Sequence, residues 1–504
     1  MALTSLWEAG HTPGVESAER VDLRDGHWDV AVVGGGITGL TTAVLLARIG
    51  RSVALFEGRT LGAGSTGRST AKLSLLQGTR LSEIARLHAT SVLRDYVCAN
   101  RAGQDWARDF CADTGVELQT RPAYTYAHTS AGEQRVREEL AAATAGGLEP
   151  RWLGDVALPF PTHGAIRLDD QLQVDPLHLV EALAAEALAR GVQIFEGARV
   201  TAVGVTAPYR LKVEGQDQTR GDDGPDIRAD QVVLATNLPI LDRGAFFARA
   251  SPARSYALAF RTPTQAVNGM YLSADQPSRS LRDAPSAQGP LLLVGGNGHR
   301  TGARVSEQAR IDELREWTHQ HFPGATETHA WSAQDQVPHR GLPYAGPLLP
   351  GNSGIVAAGG FAKWGMTNGV AAALALVGEM VGAAPSWSSA YRSWTPRELR
   401  SVHKVAAANL RVGLELAEGW LRPLAGVGAD AQEEGVVSRE GAQLVASSEV
   451  DGRTERVSAV CTHLGGVVRW NDAERSWDCP LHGSRFAPDG TVLEAPATCG
   501  LRKH

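Results

Sequence analysis

Apolar residues fall into two periodicities along this chain. From Asp29, the stretch DVAVVGGGITGLTTAVLLARIGRSVALFE runs from a continuous apolar segment through a glycine turn into helical spacing and then a second short apolar run. That order predicts a strand, tight turn, helix and strand. A second block, VDPLHLVEALAAEALARGVQIFEGARVTAVGV, opens a helix at Asp175 and Pro176, closes it at Gly191 and continues into two short β-branched runs. QVVLATN at 231–237 adds a buried strand, and GIVAAGGFAKWGMTNGVAAALALVGEMV repeats the strand, glycine turn and long helix. Between these blocks, at roughly 110–160 and 245–335, alternation as in RSYALAF and PLLLVGG predicts a mainly β lobe inserted into a discontinuous α/β domain of residues 1–385. A helical connector at 386–430 leads to short strands and turns at 431–504, with Asp-Gly at 451 and 489, the pattern of a small all-β module.

Composition narrows the function classes. The chain has 504 residues, 43% of them hydrophobic, with 49 Lys+Arg against 55 Asp+Glu and a formal charge of -6. This is ordinary for globular protein and lacks the basic footprint of a nucleic-acid partner. No segment approaches a membrane span or a secretory leader, so the expected place is the cytoplasm. Five cysteines, Cys98, Cys111, Cys461, Cys479 and Cys499, are too scattered for a disulfide framework.

Two of those cysteines carry the sharpest signal. Cys461-Thr-His463 and Cys479-Pro-Leu-His482 form two half-sites, each with one thiolate and one imidazole. A Rieske-type 2Fe-2S centre needs this set, with two cysteine sulfurs on one iron and two histidine nitrogens on the other. Structural zinc takes the same residue types, but zinc fingers usually pair Cys with Cys and His with His.

The glycine turn carries the second signal. Gly34, Gly36 and Gly39 form G-x-G-x-x-G between strand and helix, with Glu57 ending the next strand. The first glycine permits the turn, the second lets backbone approach a pyrophosphate, and the third lets helix and strand pack closely; Glu57 can accept from ribose hydroxyls.

CTHLGG and CPLHGS closely resemble the Rieske domain. The disulfide cysteines of respiratory Rieske proteins are replaced by Gly466 and Leu481; Ser484 matches their serine, and Phe486 stands where they carry a tyrosine. Loss of that hydroxyl leads us to expect a potential below respiratory values. The first 385 residues resemble the glycine oxidase and D-amino acid oxidase (DAO) family of FAD enzymes. STGRSTAKLSLLQG, LLLVGGNGH, QDQVPHRGLPYAG and GGFAKWGMTNG are similar to bacterial fusions of such a domain with a Rieske module. The resemblance implies a Rossmann-like FAD domain with an inserted mainly β substrate lobe, an all-β Rieske domain, and two cofactors, FAD and a 2Fe-2S cluster. It places FAD contacts at Gly34, Gly36, Ile37, Thr38, Gly39, Glu57, Gly58, Gly64, Ser65, Thr70 and Ala71, with Lys72 in the same loop. Further contacts are implied at Val200, Ala235, Thr236, Gly359, Gly360, Phe361, Gly365 and Met366, and cluster ligands at Cys461, His463, Cys479 and His482.

A flavin accepts two electrons together and a 2Fe-2S centre passes one, so the fusion is expected to convert between them. The expected reaction oxidises an amine or amino-acid-like small molecule and passes electrons to an outside acceptor, a protein or a quinone-like compound. The alternatives are electron entry through the cluster, or a redox sensor or carrier. Candidates for the substrate pocket are His299, Arg340, Lys363 and Trp364, with Arg340 as a clamp for a substrate carboxylate. A Rieske oxygenase needs a further two-His, one-carboxylate iron site, and His178, His299 and His321 form no such pattern.

Overall fold

A strand that ends in an unbroken apolar run, as Val30–Val33 does, belongs at the centre of a sheet covered on both faces. Gly26–Val33 is such a strand in the computed structural model, which describes residues 3–11, 25–214, 225–264, 266–286, 289–396, 402–421 and 434–504. It pairs in parallel with Val53–Phe56 on one side and Ile227–Leu234 on the other. Gln193–Phe195 and Asn352–Gly359 extend the parallel set, and Tyr344–Leu349 closes one edge antiparallel. Three strands far apart in sequence thus lie side by side, and their C-terminal ends open on one crevice, where ligands of such sheets bind. Helices Ile37–Arg48, Thr90–Thr114, Pro176–Ala189 and Gly365–Met380 contribute to the large apolar core on one face of this sheet. Asp175 caps the third of these, accepting from the Leu177 amide at 2.9 Å, with Pro176 in the first turn.

The second sheet has nine strands and is antiparallel except where Met270–Ser273 meets Leu118–Tyr126. Its long strands, Ala250–Arg261, Leu291–Arg300 and Thr326–Pro338, arise from the alternating segments. Ala165–Val174 and Lys72–Leu73 join the same sheet from outside the expected ranges 110–160 and 245–335. Lys72–Leu73 is too short to carry a period-2 signal. On the long helix Thr90–Thr114, Cys111 is buried but Cys98 is exposed.

Helix Val402–Leu421 lies in the expected connector, and its Val412 and Leu416 pack against the C-terminal module. That module comprises a three-stranded sheet, Gly435–Glu440, Gln443–Val450 and Arg453–Ser458, and a four-stranded sheet running from Arg469–Asn471 to Val492–Glu494. Trp477 and Phe486 are fully buried between them. Among the described residues, no helix is long and apolar enough to cross a membrane.

Candidate functional site

The crevice at the strand ends widens into a cavity of about 390 Å³ that reaches the second sheet. At its nucleotide end the turn is built without side chains. Gly34 has φ +108°, and a Cβ there would stand 2.6 Å from the Ala235 carbonyl oxygen; a Cβ on Gly39 would stand 1.9 Å from the Gly34 oxygen. Gly36 has no side chain to cap the helix starting at Ile37; the Ile37 amide donates to Thr66 Oγ1 at 3.1 Å, which leaves the other first-turn amides for a ligand. Glu57 ends the neighbouring strand with its carboxylate accepting from the amides of Gly35 and Arg59, both at 2.8 Å. Arg59 and Arg199 border the same end, beside Glu57 and Gly58. A helix N-terminus, a close-approach turn and guanidinium groups form a set suited to a dinucleotide pyrophosphate, so the residues present fit FAD. Gly39→Ala is expected to push the helix off the strand and empty the site. The ratio of flavin absorbance to protein in the purified variant measures this, and a ratio equal to the parent's would contradict it.

Of the expected flavin contacts, Gly34, Gly36, Ile37, Thr38, Glu57, Gly58, Gly64 and Ser65 line the cavity, as do Thr70, Val200, Ala235, Thr236, Phe361, Gly365 and Met366. Gly39, Ala71, Gly359 and Gly360 lie behind the lining. Gly39 and Gly359 act there by close packing: a Cβ on Gly359 would meet the Asn237 oxygen at 2.0 Å.

The four pocket candidates separate into two pairs. Lys363 and Trp364 border the cavity at a turn where Ala362 (φ +50°) and Lys363 (φ +74°) are both left-handed, immediately before the uncapped helix Gly365–Met380. Such backbone is costly for residues with a Cβ and is held only by its surroundings. Here the Lys363 amide donates to the Asp335 carboxylate. Lys363 is exposed where it borders the cavity, and desolvation by the surrounding protein pushes its ammonium below the ordinary range while Asp335 opposes the shift. His299 and Arg340 do not line the cavity. His299 stacks behind Tyr256, with Nε2 2.8 Å from the tyrosine hydroxyl and Nδ1 2.8 Å from the Arg300 oxygen. Arg340 is no carboxylate clamp: its guanidinium donates to the carbonyls of Leu342, Pro343, Tyr391 and Arg392 and stacks 4.2 Å from the Tyr344 ring centroid. A guanidinium so committed fastens loops together.

Lys72 and Asp335 also border the cavity, and Asp335 lies beside Lys363. Lys72 donates to Ser280 on the second sheet, and burial, reinforced by Arg282, pushes its ammonium down to about 7. Burial pushes the Asp335 carboxyl up to about 6, against the amides of Lys363 and Gln336.

The metal half-sites lie on two loops of the C-terminal module. Hydrogen bonding with Cys479 holds the Cys461 thiol below its ordinary range despite burial, helped by the amides of His463 and Leu464 and by Ser484. Gly466 leaves room beside them, since a Cβ there would stand 2.9 Å from Cys479 Sγ. His463 and His482 set their rings 5.1 Å apart and nearly perpendicular, and the buried Nδ1 of His482 has no hydrogen-bond partner. A buried orphan nitrogen is the mark of a ligand position. Among the described residues, no three of these four donors lie within 4.8 Å of one another. One tetrahedral zinc would draw them to about 3.6 Å apart, given Zn–S and Zn–N bonds of about 2.3 and 2.1 Å, so the spread fits two irons better than one ion.

His178, His299 and His321 keep separate company, against His11, Tyr256 and Trp317. His178 does share donor reach with His11 and Asp175, where Asp175 is already the helix cap.

The two modules meet through buried charge. Arg254, on the second sheet, reaches Glu474, Asp478 and Glu494 of the C-terminal module, where Arg485 bonds the same three acids. Around them, Gln334 donates to the Gly483 oxygen at 2.7 Å, Arg300 to the Pro480 oxygen at 2.8 Å and Arg199 to the Val492 oxygen at 3.0 Å. As a result Leu493, Glu494, Ala495, Ala497 and Thr498 complete the wall of the cavity. No local motif announces these residues or Arg254.

Residues 29–379 match the family model described as FAD dependent oxidoreductase, and residues 427–504 match the Rieske [2Fe-2S] domain. A Rieske 2Fe-2S iron-sulfur protein of Bacillus subtilis, YhfW, is 30% identical over 493 residues, covering 95% of this chain and 94% of that one. Glycine oxidase from Geobacillus kaustophilus has the same fold over 71% of this chain and 96% of its own, with 20% identity and a TM-score of 0.57. L-proline dehydrogenase from P. horikoshii does so over 74% and 98%, with 16% identity and a TM-score of 0.60.

Proposed function

Because the chain belongs to the DAO family of FAD-dependent oxidoreductases and ends in a Rieske domain, we propose that it oxidises an amine or amino-acid-like substrate and delivers the electrons singly to an outside acceptor. The cofactors are FAD and a 2Fe-2S cluster; bound, the first takes two electrons at once and the second passes one at a time. The observation that carries the reading is the shared wall: residues 493–495, 497 and 498 of the cluster module face the same cavity as the nucleotide turn. Transfer between the cofactors then needs no separate encounter. The solved relatives named glycine oxidase and L-proline dehydrogenase support a substrate with an oxidisable C–N bond.

In this proposal the chain's own groups bind the substrate and manage its protons. An amine that gives up a hydride also gives up a proton. Lys72, neutral above about pH 7 and fixed by Ser280, is placed to take it. Lys363 and Asp335, on the same cavity, orient the substrate, and the cluster module covers the cavity against water.

The test is an anaerobic screen of amines, amino acids and N-methylated compounds in stopped flow. Flavin bleaching that precedes cluster reduction supports the proposal; cluster reduction first reverses the direction, and no response to any compound favours a sensor. With a substrate in hand, Lys72→Met should slow bleaching by about 10²-fold or more. It should also remove the rise in rate through about pH 7 that the parent shows as Lys72 loses its proton. A variant with the parent's profile would take Lys72 out of the chemistry.

A further inference from the structure

The nucleotide-binding domain reaches into the cluster module at a second point, apart from the cavity wall. The segment following strand Ile227–Leu234 carries Asp242 and Phe247 to the histidine edge of the metal site. Asp242 Oδ1 lies 2.6 Å from His463 Nε2, and the His463 side chain is 5% exposed where Asp242 is 52% exposed. Phe247 sets its ring edgewise against both imidazoles, with centroids 5.6 Å from His463 and 5.0 Å from His482. The cap on the histidines therefore comes from another domain, 221 residues away in sequence.

The contact selects a tautomer. With Nε2 turned to a carboxylate, His463 keeps its proton there and offers Nδ1 to iron, matching the orphan Nδ1 of His482. It also adds charge. A reduced cluster carries one more negative charge than an oxidised one, and a carboxylate hydrogen-bonded to a ligand makes that extra electron less welcome. Phe247 lowers solvent access at the same edge, which strengthens the effect of a nearby charge.

We propose that Asp242 is a positioning residue for the cluster: it fixes His463 for ligation, lowers the cluster's reduction potential, and makes that potential depend on the docked flavin domain. This holds whichever substrate the flavin oxidises. It adds to the missing tyrosine hydroxyl at Phe486 and acts in the same direction.

The holoprotein, Asp242→Asn and Asp242→Glu are to be titrated with redox dyes at one pH, reading the cluster by electron paramagnetic resonance and the flavin by absorbance. Asn keeps an acceptor of the same shape without the charge, so the cluster midpoint should move upward. Glu should return it toward the parent, and the flavin midpoint should stay in place in all three. Coincident cluster midpoints in Asn and parent would overturn the proposal, as would a flavin midpoint that moves equally. If the Asn variant holds no cluster, the parent alone decides through proton electron-nuclear double resonance of the reduced cluster. One strongly hydrogen-bonded exchangeable imidazole proton is expected; two equivalent solvent-facing imidazole protons would overturn it.

Discussion

Cys479→Ser should abolish the iron-sulfur signal and leave the flavin in place. Cys479 and Cys461 share hydrogen bonding inside a buried pocket whose amides and Ser484 hydroxyl stabilise negative sulfur. A serine oxygen at that position is a poor iron ligand, because Fe–S clusters are held by thiolate. The nucleotide turn, Glu57 and the arginines beside them belong to the other domain and are untouched. Flavin per protein should therefore equal the parent's while the cluster's resonance and its iron disappear. Substrates that bleach the parent's flavin should still bleach it, and reduction of one-electron acceptors should fall to background. A variant that still reduced such acceptors at the parent's rate would show that the cluster lies off the electron route.

The second large effect is expected at Arg254, which is 0% exposed and opposite Glu474, itself 6% exposed. Removing one partner of a buried ion pair costs about 3–5 kcal/mol, because the other charge is left unpaired in low dielectric. Arg254→Ala strands three acids with Arg485 as their main remaining partner, and it does so at the contact that holds the modules together. The melting temperature should fall by several degrees or more, and the cavity wall at Glu494 should loosen, weakening flavin retention. The pH dependence follows from Glu474. Burial pushes its carboxyl up, but Arg254, Arg485 and Arg68 overrule burial and hold it at about 2. A carboxyl depressed by folding contributes stability that is complete above the unfolded value of about 4.3 and drains away as pH falls toward the folded value. In Arg254→Ala that reserve shrinks, so acid unfolding should begin at higher pH than in the parent. Equal melting temperatures and equal acid midpoints would mean that the network contributes nothing net.

The two motifs legible in the chain are those whose geometry is local. A G-x-G-x-x-G turn works because consecutive backbone angles and missing Cβ atoms shape one strand-to-helix junction, and Gly34 and Gly39 meet each other across five residues. Cys461 with His463, and Cys479 with His482, are likewise set within single loops. Asp175 and Pro176 mark a helix start for the same reason, since the capping bond spans two residues. In each case the residues that make the contact are also neighbours in sequence.

Arg340, His299, Lys72 and Asp242 show where that logic stops. Arg340 stands in a segment that resembles a substrate loop, yet its guanidinium is taken up by carbonyls as distant as Tyr391 and Arg392. His299 lies one side chain behind the cavity because Tyr256, on the neighbouring strand, stands in front of it. A side chain's type says what it can bond; only the packing of strands and loops says which partner arrives first.

What the sequence determined by itself was the pair of cofactors and the local turn and half-sites suited to them, because these depend on spacings of a few residues. Tertiary structure decided the rest: which charged groups line the cavity, which arginine is consumed as a brace, and that residues of the C-terminal module wall the cavity while Asp242 and Phe247 reach His463 and His482. These depend on how segments distant in sequence pack together, and buried charges such as Arg254 and Glu474 are stable only in the docked arrangement that pairs them.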